Sequence, residues 1–123
     1  MEQNQLAQFN KQSYLNLETT RKSGQAVATP VWFVQEGERL YVRTQDGSGK
    51  VKRIRNNPDV RVMLCGVRGE PKGEWVAARA SFADEAGARR ANQLLNKKYG
   101  LVKLLFELQS KLSKTVYTVI VIE

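Results

Sequence analysis

Apolar and polar residues alternate along most of the chain, with the period of two that is typical of β-strands. The alternation is clear at residues 14–21, where Leu15, Leu17 and Thr19 share one face. Further strands are predicted at residues 26–35, 39–44, 60–66, 74–83 and 115–123. The last of them is apolar on both faces, which indicates a strand at the centre of a sheet or at an interface.

Helical spacing marks the stretches between these strands. Short helices are predicted at residues 4–12 and 50–57, and a longer one at residues 85–99 after a capping Asp84 and before a terminating Gly100. A stripe of leucines at helical spacing follows, at Leu101, Leu104, Leu105, Leu108 and Leu112. About six strands with flanking helices predict a single mainly β domain, residues 1–123, built as a small closed or split barrel.

Composition narrows the chemistry. The chain has no histidine and one cysteine, Cys65. Histidine-dependent nucleophilic catalysis, histidine-ligated metals, a thiolate zinc site and an intrachain disulfide are therefore excluded. We expect Cys65 to be a buried small hydrophobe. No catalytic side chain and no metal ligand set is evident, so a bound cofactor would have to supply any reactive chemistry.

The charge balance points to an anionic partner. Twenty Lys and Arg residues face 12 Asp and Glu residues, for a net charge of +8. Nucleic acid, an acidic membrane surface and a phosphorylated small molecule all fit that balance. No apolar run approaches the length of a membrane span, and the first residues do not form a secretory signal. A cytoplasmic protein with no membrane partner is the expectation.

A glycine-rich loop leads into a basic helix at residues 46–55. Glycines let a ligand approach the backbone, and the start of a helix favours an anion. A phosphate held by Ser48, the Gly49 amide, Lys50 and Arg53 is physically sensible. The alternative is a solvated basic helix capped by serine.

A second candidate segment is residues 28–34, where Pro30 interrupts a strand rich in aromatic and β-branched residues. The proline predicts an edge strand or a bulge. Unpaired backbone groups beside Trp32 would suit a planar heterocycle, whereas the alternative is core packing. Trp75 and Tyr99 carry the same pair of interpretations, ligand stacking or plain packing.

The order of these segments resembles a known family. The segments in question are residues 29–33 (TPVWF), Arg43-Thr44, 47–58 (GSGKVKRIRNNP), 60–62 (VRV) and 98–101 (KYGL). Their succession resembles the FMN-binding split barrel of the pyridoxamine 5′-phosphate oxidase-like superfamily, and most closely its flavin/deazaflavin oxidoreductase branch. The resemblance covers nearly the whole chain.

The resemblance implies a six-stranded antiparallel split β-barrel that forms a homodimer and binds FMN or a deazaflavin coenzyme of the F-420 type at the interface. It implies hydride transfer to or from a small planar organic substrate. It also implies three groups of cofactor contacts. They are Thr29, Pro30, Val31 and Trp32 at the isoalloxazine edge, Arg43 and Thr44 beside the ribityl phosphate, and Ser48, Gly49, Lys50 and Arg53 at the phosphate.

Two departures from the family pattern matter. Flavin-binding members tend to show Ser-Arg-Lys where this chain has Ser48-Gly49-Lys50, so one phosphate-binding cation is missing unless Lys52 or Arg53 replaces it. The chain also lacks the histidine-bearing C-terminal region of the vitamin B6 oxidases, and we do not expect that activity. Two alternatives stay open: a non-catalytic flavin or deazaflavin carrier or sensor, and a basic nucleic-acid-binding module, although no nucleic-acid motif is present.

Overall fold

The structure is a computed structural model that describes the backbone of residues 1–113 and 116–123 and the side chains of residues 1–100 and 116–123. Its elements, in chain order, are α1 (Gln3–Ala7), β1 (Tyr14–Thr20), β2 (Ala26–Trp32), β3 (Val34–Glu36), β4 (Arg39–Gln45), α2 (Gly49–Asn56), β5 (Asp59–Leu64), β6 (Val76–Phe82), α3 (Glu85–Ser113) and β7 (Tyr117–Ile122).

The strands form one antiparallel sheet in the order β2-β1-β5-β6-β7-β4-β3. The sheet curls into a half-barrel with helices at its flanks, which confirms the mainly β split barrel. Seven strands are present rather than the predicted six, because the predicted second strand is divided at Phe33. The first four strands are therefore no simple meander: β2 and β3 follow each other in sequence but lie at opposite edges of the sheet.

Side chains from α3 hold the break at Phe33. The Phe33 amide donates to the Tyr99 hydroxyl at 3.1 Å, and the Phe33 carbonyl accepts from Lys98 Nζ at 2.7 Å. Buried backbone groups need partners, and these two side chains take the place of a neighbouring strand. The chain can therefore leave one edge of the sheet and enter the other while the Phe33 ring stays fully buried.

Two apolar clusters stabilise the fold, one on each side of β7. Ile120 and Ile122 point into the larger cluster inside the curled sheet, with Leu15 and Leu17 of β1. The alternate residues of β7 join the smaller cluster beneath α3, whose buried members are Val34, Tyr41, Ala91, Leu95, Val119 and Val121. The two apolar faces of the last strand therefore have a direct explanation: β7 is central, paired with both β6 and β4.

The helices follow their sequence signals closely. Ser48 caps α2, whose inner residues Val51 and Ile54 are buried. Asp84 Oδ1 accepts the Gly87 amide at 2.7 Å and so caps α3. At Gly100, with φ 54° and ψ −123°, the helical backbone is interrupted, as its predicted role as a terminator requires. The predicted leucine stripe beyond it lies outside the described side chains.

Several boundaries differ from the predicted ones. Helix α1 ends at Ala7, although Phe9 still packs into the core at 1% exposure. The predicted strands 60–66 and 74–83 are shorter, as β5 and β6, and residue 115 of the last predicted strand lies outside the described residues.

Pro30 does lie in an edge strand, but pairing between β1 and β2 is unbroken from Tyr14↔Trp32 to Thr20↔Ala26, so no bulge forms. Within the described chain, no helix has the length and apolarity needed to cross a membrane.

Candidate functional site

A cavity of about 400 Å³ lies where the ends of β2 and β4 meet the start of α2. We call it the Trp32 cavity. Its lining residues are Val31, Trp32, Arg43, Thr44, Gln45, Ser48, Lys50, Leu95 and Tyr117. The lining combines hydroxyls and cations with apolar and aromatic side chains, the combination expected of a site for a ligand with an anionic tail and a flat ring.

The cavity brings together six of the ten predicted contact residues. Those six are Val31, Trp32, Arg43, Thr44, Ser48 and Lys50. The other four, which do not line it, are Thr29, Pro30, Gly49 and Arg53. Residues from all three predicted contact groups, for the isoalloxazine ring, the ribityl chain and the phosphate, are thus neighbours in space, although they come from three separate parts of the chain.

Two hydroxyls meet at the start of α2. Ser48 Oγ accepts the Val51 amide at 3.5 Å and lies 3.4 Å from Thr44 Oγ1. Thr44 is 8% exposed at the end of β4, so the strand fixes its position. The first amides of a helix lack acceptors within the helix. Together, the hydroxyls and the amide end of α2 offer directed hydrogen-bond donors to an anion.

Lys50 supplies a cation at this end of the cavity. Its side chain is half-buried, and burial lowers the pKa of Lys50, with the positive charge of Arg53 lowering it further. It forms no ion pair with a carboxylate in the described part of the chain. A bound anion would offset both the desolvation and the repulsion, which makes Lys50 the strongest candidate for direct phosphate contact.

Arg53 lies beside the cavity, over Gly49. Its Nε donates to the fully buried Thr19 Oγ1 at 2.6 Å, which holds the guanidinium in place. A Cβ built on Gly49 would approach Arg53 Nη1 to 2.6 Å. The glycine therefore makes room for the guanidinium. The Arg53 guanidinium thus lies at the helix end where the family resemblance implies a cation from position 49.

Arg43 is held against an aromatic ring. Its guanidinium carbon lies 4.0 Å from the centre of the Tyr117 ring. The two residues share a face of the sheet, because Arg43 pairs with Val119 and Tyr117 lies two residues earlier on β7. Stacking of this kind orients the planar guanidinium.

The apolar wall is built around Trp32. Its ring stacks on Tyr99 with centroids 4.5 Å apart and an interplanar angle of 10°. The Tyr99 hydroxyl is itself fixed by hydrogen bonds with Phe33 and the Ser13 carbonyl, and burial raises the pKa of Tyr99 to about 12. Tyr99 is thus a packing residue that orients Trp32, and the wall is rigid.

Thr29 and Pro30 point to opposite sides of β2. Thr29 pairs with Leu17 and so lies on the inner face, the same face as the cavity-lining Val31. Its Oγ1 is buried and has no hydrogen-bond partner among the described residues. Pro30 pairs with Asn16 on the outer face. A polar group of a ligand reaching deeper than Val31 would satisfy the Thr29 hydroxyl.

Three lining residues escaped the sequence analysis: Gln45, Leu95 and Tyr117. Gln45 directly follows the predicted Arg43-Thr44 pair, so a longer third strand would have included it. Leu95 and Tyr117 enter through the packing of α3 and the pairing of β7 with β4, for which the sequence offers no local signal. The expectation that Cys65 is buried is confirmed, and burial raises the pKa of its thiol. The Trp75 ring packs against Arg61, whose guanidinium carbon lies 4.8 Å from the ring centre.

The family assignment rests on the whole chain. A family model described as pyridoxamine 5′-phosphate oxidase matches residues 1–123. The half-barrel and a cavity at the start of its basic helix agree with that match, and the chain belongs to the pyridoxamine 5′-phosphate oxidase family. A comparison with curated protein sequences finds no significant match.

Solved structures share the fold. The General Stress Protein 26 of Bacillus anthracis is 23% identical with a TM-score of 0.66, over 96% of this chain and 84% of that one. The heme storage protein HutZ of Vibrio cholerae is 18% identical with a TM-score of 0.70, over 98% and 88%. A chain described as an F420 reductase is 17% identical with a TM-score of 0.60, over 95% and 90%. At these identities the likeness establishes the fold, which hosts proteins of different function.

Proposed function

We propose that the chain is an oxidoreductase that binds FMN or a deazaflavin coenzyme in the Trp32 cavity and passes a hydride to or from a small planar organic substrate. The carrying observation is the composition of the cavity lining. Hydroxyls, cations and the N-terminal end of α2 occur there together with Trp32, whose ring stacks on Tyr99. That arrangement fits a molecule with a phosphate at one end and a flat ring system at the other.

Each group of residues has a separate task in this proposal. Ser48, Thr44 and Lys50 bind the phosphate, with Arg53 adding positive charge from outside the cavity. Arg43, oriented by Tyr117, binds the polar chain between phosphate and ring. Val31 and Trp32 pack against the ring and exclude water. When bound, the flavin or deazaflavin supplies the hydride chemistry.

Among the residues whose side chains are described, none that lines the cavity carries a carboxylate or a thiol. The chain's own contribution is therefore binding, orientation and a positive field rather than acid or base chemistry, and protons would come from solvent or substrate. This is why a non-catalytic carrier or sensor remains the second candidate. Turnover separates the two: a carrier binds the cofactor but does not accelerate its oxidation by any acceptor.

The heme storage protein HutZ among the structural relatives suggests heme as a different ligand. Heme iron is commonly held by histidine, and this chain has none. The cations and hydroxyls that line the Trp32 cavity are suited to binding a phosphate rather than to ligating a heme iron. We therefore favour a nucleotide cofactor over heme. A duplex or single strand that bound at physiological salt would instead support the basic nucleic-acid module.

The first test is fluorescence titration of the purified protein with FMN and with the deazaflavin coenzyme. We expect saturable binding of one of them, weakened at least tenfold by Lys50→Met, because a charge-assisted phosphate contact is lost. Lys52→Met is the matched control, since Lys52 is exposed on the same helix and does not line the cavity.

Equal affinities of the two variants would remove the proposed phosphate site. Failure of wild-type protein to bind either cofactor would remove the proposed function altogether. Circular dichroism of both variants shows whether a loss of binding is local.

We also propose that the active form is a homodimer. A row of side chains crosses the outer face of four strands: Ala28, Glu18, Arg61 and Ala77. Arg61 and Glu18 pair through two bonds of 2.7 Å, and the alanines on either side are exposed and small. A surface of small side chains with its charges already paired suits contact with a second copy. Sedimentation equilibrium tests this, and a monomer at all concentrations would contradict it.

A further inference from the structure

A second and larger concavity, of about 820 Å³, lies between α1, the β3–β4 hairpin and the first part of α3. We call it the Lys98 groove. Its base is apolar, formed by Leu6, Phe9, Val34 and Leu94. No described residue lines both this groove and the Trp32 cavity. Its volume lies within the range that small organic ligands occupy, and an apolar base favours a ligand with an apolar body.

Lysines border this groove. Lys11 comes from the turn after α1, and Lys97 and Lys98 come from the last described turn of α3 before Gly100. One carboxylate, Glu38, also lines the groove. None of the three lysines forms an ion pair with a described carboxylate. The groove therefore carries an excess of positive charge above an apolar base.

Lysines and arginines differ in how their charges are paired in this structure. Ion pairs between described residues use arginine: Arg39, Arg55, Arg61, Arg79, Arg89 and Arg90 each reach a carboxylate. Glu36 of β3, beside the groove, follows the same rule, since it is held by Arg90 at 2.6 Å. Glu38 alone among the described carboxylates lines the groove, so three lysines face one carboxylate there, and an anion from solution is the natural partner of the remaining positive charge.

Lys98 is the most constrained of the three. Its Nζ donates to the Phe33 carbonyl at 2.7 Å and lies 3.9 Å from the centre of the Phe33 ring. An ammonium group has three donors, so two remain for a ligand in the groove. Because the buried Phe33 anchors it, Lys98 presents those donors at a fixed place, which reduces the entropy lost on binding.

Lys11 adds an independent sign of constraint. Its φ of 59° is the only positive value for a described residue other than glycine. A left-handed lysine costs on the order of 1 kcal/mol and persists only where the surrounding structure imposes it. The turn that imposes it here, with the Gln12 amide bound to the Phe9 carbonyl at 3.2 Å, brings Lys11 to the rim of the groove.

From these observations we infer that the Lys98 groove is a binding site for a small organic anion in which one carboxylate is joined to an apolar chain or ring. The apolar part would lie on the base formed by Leu6, Phe9 and Leu94. The carboxylate would accept hydrogen bonds from Lys98 and pair with Lys97 and Lys11. This site is separate from the proposed cofactor site and does not depend on it.

Isothermal titration of the full chain with octanoate, octan-1-ol and inorganic phosphate tests the inference. We expect saturable binding of octanoate, with octan-1-ol at least tenfold weaker, because the alcohol lacks the charge. Phosphate lacks the apolar body and is expected in the Trp32 cavity instead, so an equal concentration of phosphate should leave the affinity for octanoate within twofold. Equal binding of octanoate and octan-1-ol would overturn the inference, as would displacement of octanoate by phosphate or no binding of octanoate.

Lysine variants locate the site. Lys98→Met is expected to weaken octanoate binding about tenfold, the loss of one charge-assisted hydrogen bond. Lys72→Met, on an exposed loop, and Lys50→Met, in the Trp32 cavity, are matched controls and should leave the affinity within twofold. If Lys98→Met is not folded by circular dichroism, the double variant Lys11→Met/Lys97→Met takes its place.

An unchanged affinity in the folded lysine variants would overturn the assignment. So would a loss in Lys50→Met alone, because octanoate would then occupy the Trp32 cavity. The readout is heat rather than flavin fluorescence. Failure of FMN binding and failure of octanoate binding are therefore distinguishable results.

Discussion

The Trp32 cavity and the Lys98 groove both offer positive charge to an anion, but they offer it in different ways. In the cavity, the cations stand beside two hydroxyls and a helix N-terminus, and Arg43 is oriented by an aromatic ring. In the groove, the positive charge comes from three lysines above apolar side chains. Directed donors suit the several oxygens of a phosphate, whereas point charges over an apolar base suit a single charge on an apolar body.

The two sites also meet at one place in the chain. Trp32 lines the cavity, Val34 lines the groove, and Phe33 between them is buried. The difference between the sites is thus produced within three residues, by the break that separates β2 from β3. Substitutions at and around that break are the sharpest way to test whether the sites are distinct.

The largest expected effect is that of Phe33→Ala. The ring is fully buried, packs edge-on against Phe9 at 5.6 Å and supports Lys98. Its loss should lower the free energy of unfolding by about 3–5 kcal/mol, measured by urea denaturation. Octanoate affinity should fall with it, because Lys98 loses its contact with the ring and keeps only the hydrogen bond to the backbone carbonyl, whereas cofactor affinity at Lys50 should change less.

Val67→Ala is the control for that substitution. Val67 is 60% exposed, so its truncation should change the free energy of unfolding by less than about 0.5 kcal/mol. A loss below about 1 kcal/mol in Phe33→Ala would contradict the role of the ring as the support that both sites share.

The next effect concerns the Lys98 amine. Burial lowers its pKa from 10.5 to about 8. At pH 8 roughly half of this amine is neutral, against less than about 1% of an ordinary lysine. Acetylation by limiting acetic anhydride, followed by peptide mass spectrometry, should therefore label Lys98 preferentially. Its rate should rise with pH and level off above about 8.

Repeating the acetylation in the presence of octanoate tests whether octanoate binds next to Lys98. A bound carboxylate favours the charged amine, so it should raise the pKa of Lys98 and slow acetylation at pH 8. Octan-1-ol should slow it less. A Lys98 rate that still rises steeply above pH 9 would show that the amine is not desolvated and would contradict the constrained geometry.

The smallest expected effect is at Gly49, on the cofactor side. Gly49→Ala should displace the Arg53 guanidinium, the far end of a flexible side chain, at little cost in stability. In an Arg53→Leu background the same change should be more favourable, because alanine is the better helix former and nothing is displaced. A double-mutant cycle in urea should give a coupling of about 0.5–1 kcal/mol. Strict additivity would contradict the close approach of the two residues.

Much of the fold was predictable because its signals are local. Strand alternation at Leu15 and Leu17, the serine cap of α2 and the glycine that ends the first part of α3 are all set by neighbouring residues. The two apolar faces of β7 predicted its central position for a physical reason, since a strand between two packed layers has no solvent side. The family resemblance also assigned Trp32, Arg43 and Lys50 to one cofactor site, and all three line the Trp32 cavity.

What the sequence could not supply was long-range. The break at Phe33 depends on Lys98 and Tyr99, more than 60 residues away along the chain. No local pattern marks a strand that is cut by side chains from a distant helix. Likewise, the Lys98 groove is formed by the turn after α1, a hairpin and α3, which are far apart in the sequence. Taken singly, each of its lysines predicts only an ordinary solvated surface charge.

Pro30 has a consequence for how copies of the molecule can meet. A half-barrel has two open edges, and an exposed edge is a template on which another chain can add a strand. One edge here is β2, where Pro30 lacks the N–H that a continuous ladder would need. The other is β3, only three residues long. Both edges therefore disfavour runaway strand addition, and the homodimer proposed above would form through a face of the sheet.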